Sequence, residues 1–220
     1  MRIPNRHIMY KRYLDGDIAE AEYKTYLAEQ EERERQSSER FDRTVINIKG
    51  VNLHMKQYFE KVSLKQFMND WIDTFGNQPD HIITEIYNNI KLPRRKTKLS
   101  AGYDIASTLN FTLKPGESIK FPTGLRCHMK DNNVLLLHVR SSVGFKYHTV
   151  LSNITGVIDS DYINANNEGH IFIKLVNHGD KDFTVNAGDD VVQGIFMKYD
   201  ITDDDMAYED RIGGIGSTGK

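Results

Sequence analysis

Apolar positions along this chain fall into two textures that meet near residue 92. Before it the spacing is helical. Asp17 to Arg40 is nearly all charged or small, with Ala19, Tyr23, Tyr26 and Leu27 as a thin apolar stripe. That pattern predicts one exposed helix with little to bury, its Glu/Arg run being a solvated face. Ser63 followed by Gln66 has the form of a capping box. Leu64, Phe67, Met68, Trp71 and Phe75 then share one face, and Gly76 supplies a C-cap. This predicts a second helix with Trp71 in the core.

After residue 92, short apolar runs alternate with proline, glycine and asparagine turns. Phe111 and Leu113 precede Pro115-Gly116, and Ile119 and Phe121 follow it with period two. Val134–Val139, His170–Val176, Phe183–Val185 and Val191–Met197 are further strand candidates, with Ala187-Gly188-Asp189 as another turn. Many short strands with no intervening helix predict an antiparallel sandwich or barrel.

Composition narrows the picture without changing it. The 220 residues are 39% hydrophobic and 27% charged, with net charge −2, which is ordinary for a globular protein. No global basic field favours nucleic acid or membrane surfaces. No apolar run approaches the roughly 20 residues of a membrane span, and the N-terminus lacks an apolar secretion core. Cys127 is alone, which excludes a disulfide framework and suits a reducing cytoplasm. The eight histidines show no zinc-type spacing with it.

Five segments carry chemistry. AGYDI at 101–105 sets a glycine beside Asp104 at a strand start. VRSSVGFK at 139–146 delivers Arg140, Ser141 and Ser142 into a turn. An arginine fork, hydroxyls and turn amides make a phosphate cradle. In NITGVIDSDY at 153–162, Asp159 follows the apolar stretch Gly156-Val157-Ile158, which predicts a partly shielded carboxylate able to act as general base. Asn153 offers a donor and an acceptor to a pyrimidine's imide edge, and Tyr162 offers a flat ring to a sugar. A plainer reading has Asp159 and Asp161 capping a turn and Tyr162 in the core. In VVQGIF at 191–196, Gln193 between apolar strand residues needs a specific partner. RIGGIGSTGK at 211–220 is a glycine-rich tail whose amides, with Arg211, Ser217 and Thr218, suit phosphate. It is not a Walker A loop.

In this order the five segments resemble the motifs of the trimeric dUTPase family (deoxyuridine 5'-triphosphate nucleotidohydrolases). The phage-type branch of Gram-positive bacteria is the nearest pattern, with a segment like SLKQFMNDWIDTFG before the barrel and with NEGHIFIKL following. The resemblance covers roughly Tyr58 to Lys220. It implies a mainly β fold, a jelly-roll-like β-barrel with an appended N-terminal α-helical region. The parts would be an unassigned extension at 1–57, a helical segment at 58–91, the barrel at 92–205 and a C-terminal arm at 206–220.

The resemblance also implies a homotrimer whose sites lie between subunits, each closed by a neighbour's arm. The substrate would be dUTP, and the setting cytoplasmic, in a bacterial host if phage-encoded. Asp159 matches the catalytic aspartate, Asn153 the uracil reader and Tyr162 the residue under deoxyribose. Gly156, Val157, Ile158 and Phe172 would line the base pocket. Arg140, Ser141, Ser142 and Gln193 match phosphate contacts. Arg211, Gly216, Ser217 and Thr218 match the arm's grip on the γ-phosphate. Asp104 would reach a Mg2+ ion through water.

Four departures stand out. Ile215 replaces the arm's usual aromatic. The fourth motif's arginine falls at Asp190 or is absent, so its salt bridge is missing or rebuilt. Ile163-Asn164-Ala165-Asn166-Asn167 makes a longer turn before Glu168-Gly169. Residues 1–57 match nothing. A dCTP deaminase shares the fold but needs a glutamate at the base, where Asp159 is here followed by Ser160-Asp161-Tyr162. A second role, nucleotide-dependent binding of a repressor protein, would use the N-terminal surfaces.

Overall fold

A computed structural model describes residues 12, 19, 21–29, 32, 56–207, 211, 213 and 214. The chain divides into two compact units, Met1–Leu53 and His54–Lys220. In the first unit, residues 21–29 form a helix and residues 12 and 32 are helical. Tyr26 is its buried residue, packed with Tyr23 and Leu27. The rest of the helix expected over 17–40 lies outside the described residues.

The second unit begins with β1 (Tyr58–Lys61), α1 (Leu64–Phe75) and α2 (Asp80–Asn89). Then come β2 (Tyr103–Ala106), β3 (Phe111–Leu113), β4 (Ser118–Pro122), β5 (Leu125–His128), β6 (Asn133–Val139), α3 (Ser141–Tyr147), β7 (Thr149–Leu151) and β8 (Gly156–Asp159). A 3-10 turn at Ser160–Asn164 precedes β9 (Phe172–Asn177), β10 (Phe183–Val185) and β11 (Asp190–Lys198). All pairings are antiparallel. The sheets run β1–β5, β10–β3, β2–β11–β6–β8 and β4–β9–β7. This is the mainly β, jelly-roll-like architecture expected. Alternation does the sorting: Leu135 and Leu137 of β6, and Ile173 and Leu175 of β9, point inward, while Leu136 and Lys174 do not.

The strands share one core, which includes Phe121, Leu125, Leu135, Ile173, Leu175 and Val192. A second cluster holds Val62, Phe67, Trp71 and Ile83. Phe75, Ile90 and Leu109 pack against both, so the helical layer continues the barrel's interior. Gly124 sits at φ 71°, and a Cβ there would strike Ile90 and the Phe67 ring. Glycine therefore serves twice at this junction.

Three expectations change. The stretch from Arg140 is a short helix, not a turn, because Val143 and Gly144 both donate to the Arg140 carbonyl. So a helix does interrupt the strands. β1, within the segment read as helical, pairs with β5 across Tyr58 to Lys61. The capping box is half-made: Ser63 Oγ accepts from the Gln66 amide, but the Ser63 amide donates to Glu168 from the barrel. Gln66 turns instead to Asp70.

Candidate active site in two halves

Most of the expected site residues that are described fall at the two ends of β6. At one end of β6, Arg140 is the N-cap of α3, with Ser141 and Ser142 exposed in its first turn. The Ser141 and Ser142 amides come before the first intrahelical bond and have no acceptor within the helix. Arg140 Nε lies 3.4 Å from Asp104 Oδ1. Asp104 sits on β2 opposite Gln193 of β11. A Cβ on Gly102 would collide with the Gln193 side chain, so that glycine is what lets Gln193 lie across the strand start. Lys96 Nζ is 2.5 Å from Asp190 Oδ2 and 3.8 Å from Asp104 Oδ2. A salt bridge is thus rebuilt at Asp190, where the fourth motif's arginine was expected, by a lysine from the stretch before β2. Asp104 Oδ2 is buried and makes no hydrogen bond.

At the other end lie most of the residues expected on the nucleoside side. Asp159 closes β8 opposite Val134, and Gly156 pairs with Leu137. Gly156 is buried, and a Cβ there would press on the Leu137 side chain at 3.0 Å. Ile158 faces the core, while Val157 is exposed. The shielding expected for Asp159 therefore fails within one chain: its apolar neighbours alternate faces, and its side chain is 48% exposed. Asn153 does not join them: it is exposed in the loop between β7 and β8, off the opposite end of β8 from Asp159 and toward the Arg140 end of β6, and Ile154 beside it takes φ 64°.

Tyr162 is buried in the 3-10 turn, its hydroxyl donating to the His170 carbonyl at 2.9 Å. Burial pushes its phenol pKa up. Phe172 stacks obliquely on the His170 ring at 4.8 Å. Arg211, from the segment expected to close a neighbour's site, donates here to its own chain's Asp159 and Asp161 Oδ1 (2.9 Å for the latter) and covers its own Tyr162 ring at 5.5 Å. Ile215, Gly216, Ser217 and Thr218 lie outside the described residues.

The two halves do not meet in one chain. From Val134 to Arg140 is six residues of extended strand, about 20 Å at roughly 3.3 Å per residue. Four participants were missed: Lys96, Asp70, Asn167 and His170. Asp70 carried a faint signal, as a carboxylate beside the Phe67–Trp71 stripe. The other three have none that spacing reveals.

A family model described as dUTPase matches residues 88–219. A deoxyuridine 5'-triphosphate nucleotidohydrolase of Lactococcus lactis is 42% identical over 142 residues, covering 63% of this chain and 95% of that protein. One of Hahella chejuensis is 36% identical over 140 residues, covering 60% and 89%. A solved Staphylococcus bacteriophage 80alpha dUTPase superposes with TM-score 0.50 at 19% identity, covering 71% of this chain and 98% of that chain. That last likeness concerns fold alone.

Proposed function

Because this chain belongs to the dUTPase family, we propose that it hydrolyses dUTP to dUMP and pyrophosphate with Asp159 as general base. Asp159 takes a proton from water as the oxygen attacks the α-phosphorus. The bond to the bridging oxygen breaks, and pyrophosphate leaves. The observation that carries this reading is the meeting of Asp159, Tyr162 and the arm's Arg211 at one open edge. A carboxylate able to reach water, a ring for the sugar and a cation for phosphate are the parts such a hydrolysis needs.

The 20 Å gap implies that one chain's Arg140, Ser141, Ser142 and Gln193 serve the Asp159 and Tyr162 of another. Ile195, Leu136 and Val157 form a row across β11, β6 and β8 on the face away from the core. Met197 continues it, 51% exposed. Contiguous exposed apolar surface marks an interface, and a closed trimer would cover it while joining the halves.

Among the described residues no group of three or more His, Cys, Asp or Glu gathers as a metal cage. A magnesium ion held mainly by triphosphate and water needs no such cage. Asp104, with its orphaned buried Oδ2, fits as its one outer carboxylate. When bound, the ion would offset triphosphate charge and order the chain of phosphates. Among the described residues no helix is long and apolar enough to cross a membrane.

The test is pyrophosphate release with magnesium from dUTP beside dCTP, dTTP and UTP, in full-length protein and in protein truncated after Asp210. Turnover of dUTP alone, lost on truncation, is expected. Ammonia from dCTP, or no turnover at all, would overturn the assignment.

A further inference from the structure

The helical layer does more at this site than extend the core. His170 is fully buried, and its Nε2 accepts from the Gly124 amide at 2.7 Å. A backbone amide can only donate, so Nε2 is unprotonated and Nδ1 carries the hydrogen. That Nδ1–H points at Asp70 Oδ2 of α1, 2.5 Å away. Phe67, from the same helix, flanks the imidazole. The His170 carbonyl is the acceptor for the Tyr162 hydroxyl. Asn167 donates to both the Tyr162 oxygen and the His170 carbonyl, at 2.9 and 3.4 Å.

The long turn that leads to His170 is held by the same helix. Glu168 has φ 58° and Gly169 φ 70°. A side chain at Gly169 would run into the Ile163 backbone at 2.7 Å. A non-glycine residue in the left-handed region persists when its surroundings hold it there. The surroundings include the Ser63 amide and hydroxyl at the start of α1, which donate to the two Glu168 oxygens at 2.8 and 2.6 Å, with Arg126 Nη1 of β5 farther off at 3.6 Å.

We infer that Asp70 and Ser63 are positioning residues for Tyr162, through His170 and Glu168, so that the helical layer sets how strictly the site excludes a ribose. The inference rests on the reading of Tyr162 as the sugar platform. A ring that excludes a 2'-hydroxyl by contact must be placed to a fraction of an ångström, and its anchor is a carbonyl whose own residue is oriented from α1. Loosening the anchor lets the ring shift, and the extra hydroxyl then fits.

The test is kcat and KM for dUTP and UTP, using excess enzyme for UTP. Asp70→Ala is expected to lower the dUTP-to-UTP ratio of kcat/KM by about tenfold, since small misplacements near reacting groups carry effects of that size or larger. Asp70→Asn keeps an oxygen acceptor for the imidazole and should restore the ratio to within about twofold of the original. Ser63→Ala, an exposed and milder change, should lower it in the same direction and serves if Asp70→Ala does not fold. A ratio unchanged in Asp70→Ala, or in Ser63→Ala if that variant stands in, overturns the inference, even where thermal stability falls. Tyr162→Ala separates the two layers of the argument. If it too leaves the ratio unchanged, the sugar-platform reading has failed. If it collapses the ratio while Asp70→Ala does not, only the positioning role has failed.

Discussion

Asp159 shows what a single residue can and cannot disclose. Its sequence neighbours suggested a shielded carboxylate, but strand alternation turns Val157 outward with it and Ile158 inward. The proposed role as base asks only for an edge open to water, and its side chain is 48% exposed. Asp159→Asn is expected to lower kcat at least about 100-fold with KM little changed, as when a general base is lost. Comparable loss of dUTP binding, measured calorimetrically, would count against that role.

Cys127 is the plainer case. Only 3% exposed, its thiol is pushed by burial from the ordinary 9.0 up to about 12. A group raised in the folded state stabilises fully below its unfolded value and loses that contribution as pH climbs through the folded one. Stability from Cys127 should therefore hold below pH about 9 and decline toward 12, and Cys127→Ala should flatten that part of the denaturation profile. Iodoacetamide should label the native thiol far more slowly than the unfolded one.

Among the elements, α1 was the most legible, because stripe, cap and stop agree. Phe67 is fully buried and Trp71 nearly so, and the indole N–H finds Gln78 at 3.1 Å. Trp71→Ala should cost about 3–5 kcal/mol in urea unfolding; less than 1 kcal/mol would mean that the layer is not cooperative with the barrel. β1 and α2 were not separately legible. β1 is four residues long, and its stability comes from a partner about seventy positions away and from Glu60. A hydrogen bond from His128, with Arg126 adding to it, lowers the Glu60 pKa against burial. Nothing local announces such partners. The helix at Ser141 was hidden because two serines and a glycine are weak helix formers, and seven residues suffice only when the barrel holds them.

For the whole molecule, the proposed function, the split between Asp159 and Arg140 and the outward row of Ile195, Leu136 and Val157 together predict that activity is a property of an assembly. Sedimentation should report a particle of three 25.4 kDa chains. Leu136→Glu should shift it to single chains and abolish turnover together, because a charge cannot be buried unpaired at an apolar interface. Single chains with full activity would show that each chain completes its own site.

Local patterns determined much here. Period-two runs and turn residues specify strands, a 3.6-residue stripe specifies α1, and the order of five short motifs specifies the family. These are properties of neighbouring residues, and chemistry so encoded survives without knowledge of the fold. Tertiary structure decided how those pieces are shared out. It placed Asp159 and Arg140 at opposite ends of one strand, supplied Lys96 to Asp190, and joined Asp70 to His170 across a hundred residues. Such contacts depend on strand register and chain crossing, and a hydrogen bond between distant residues leaves no periodic trace in either segment.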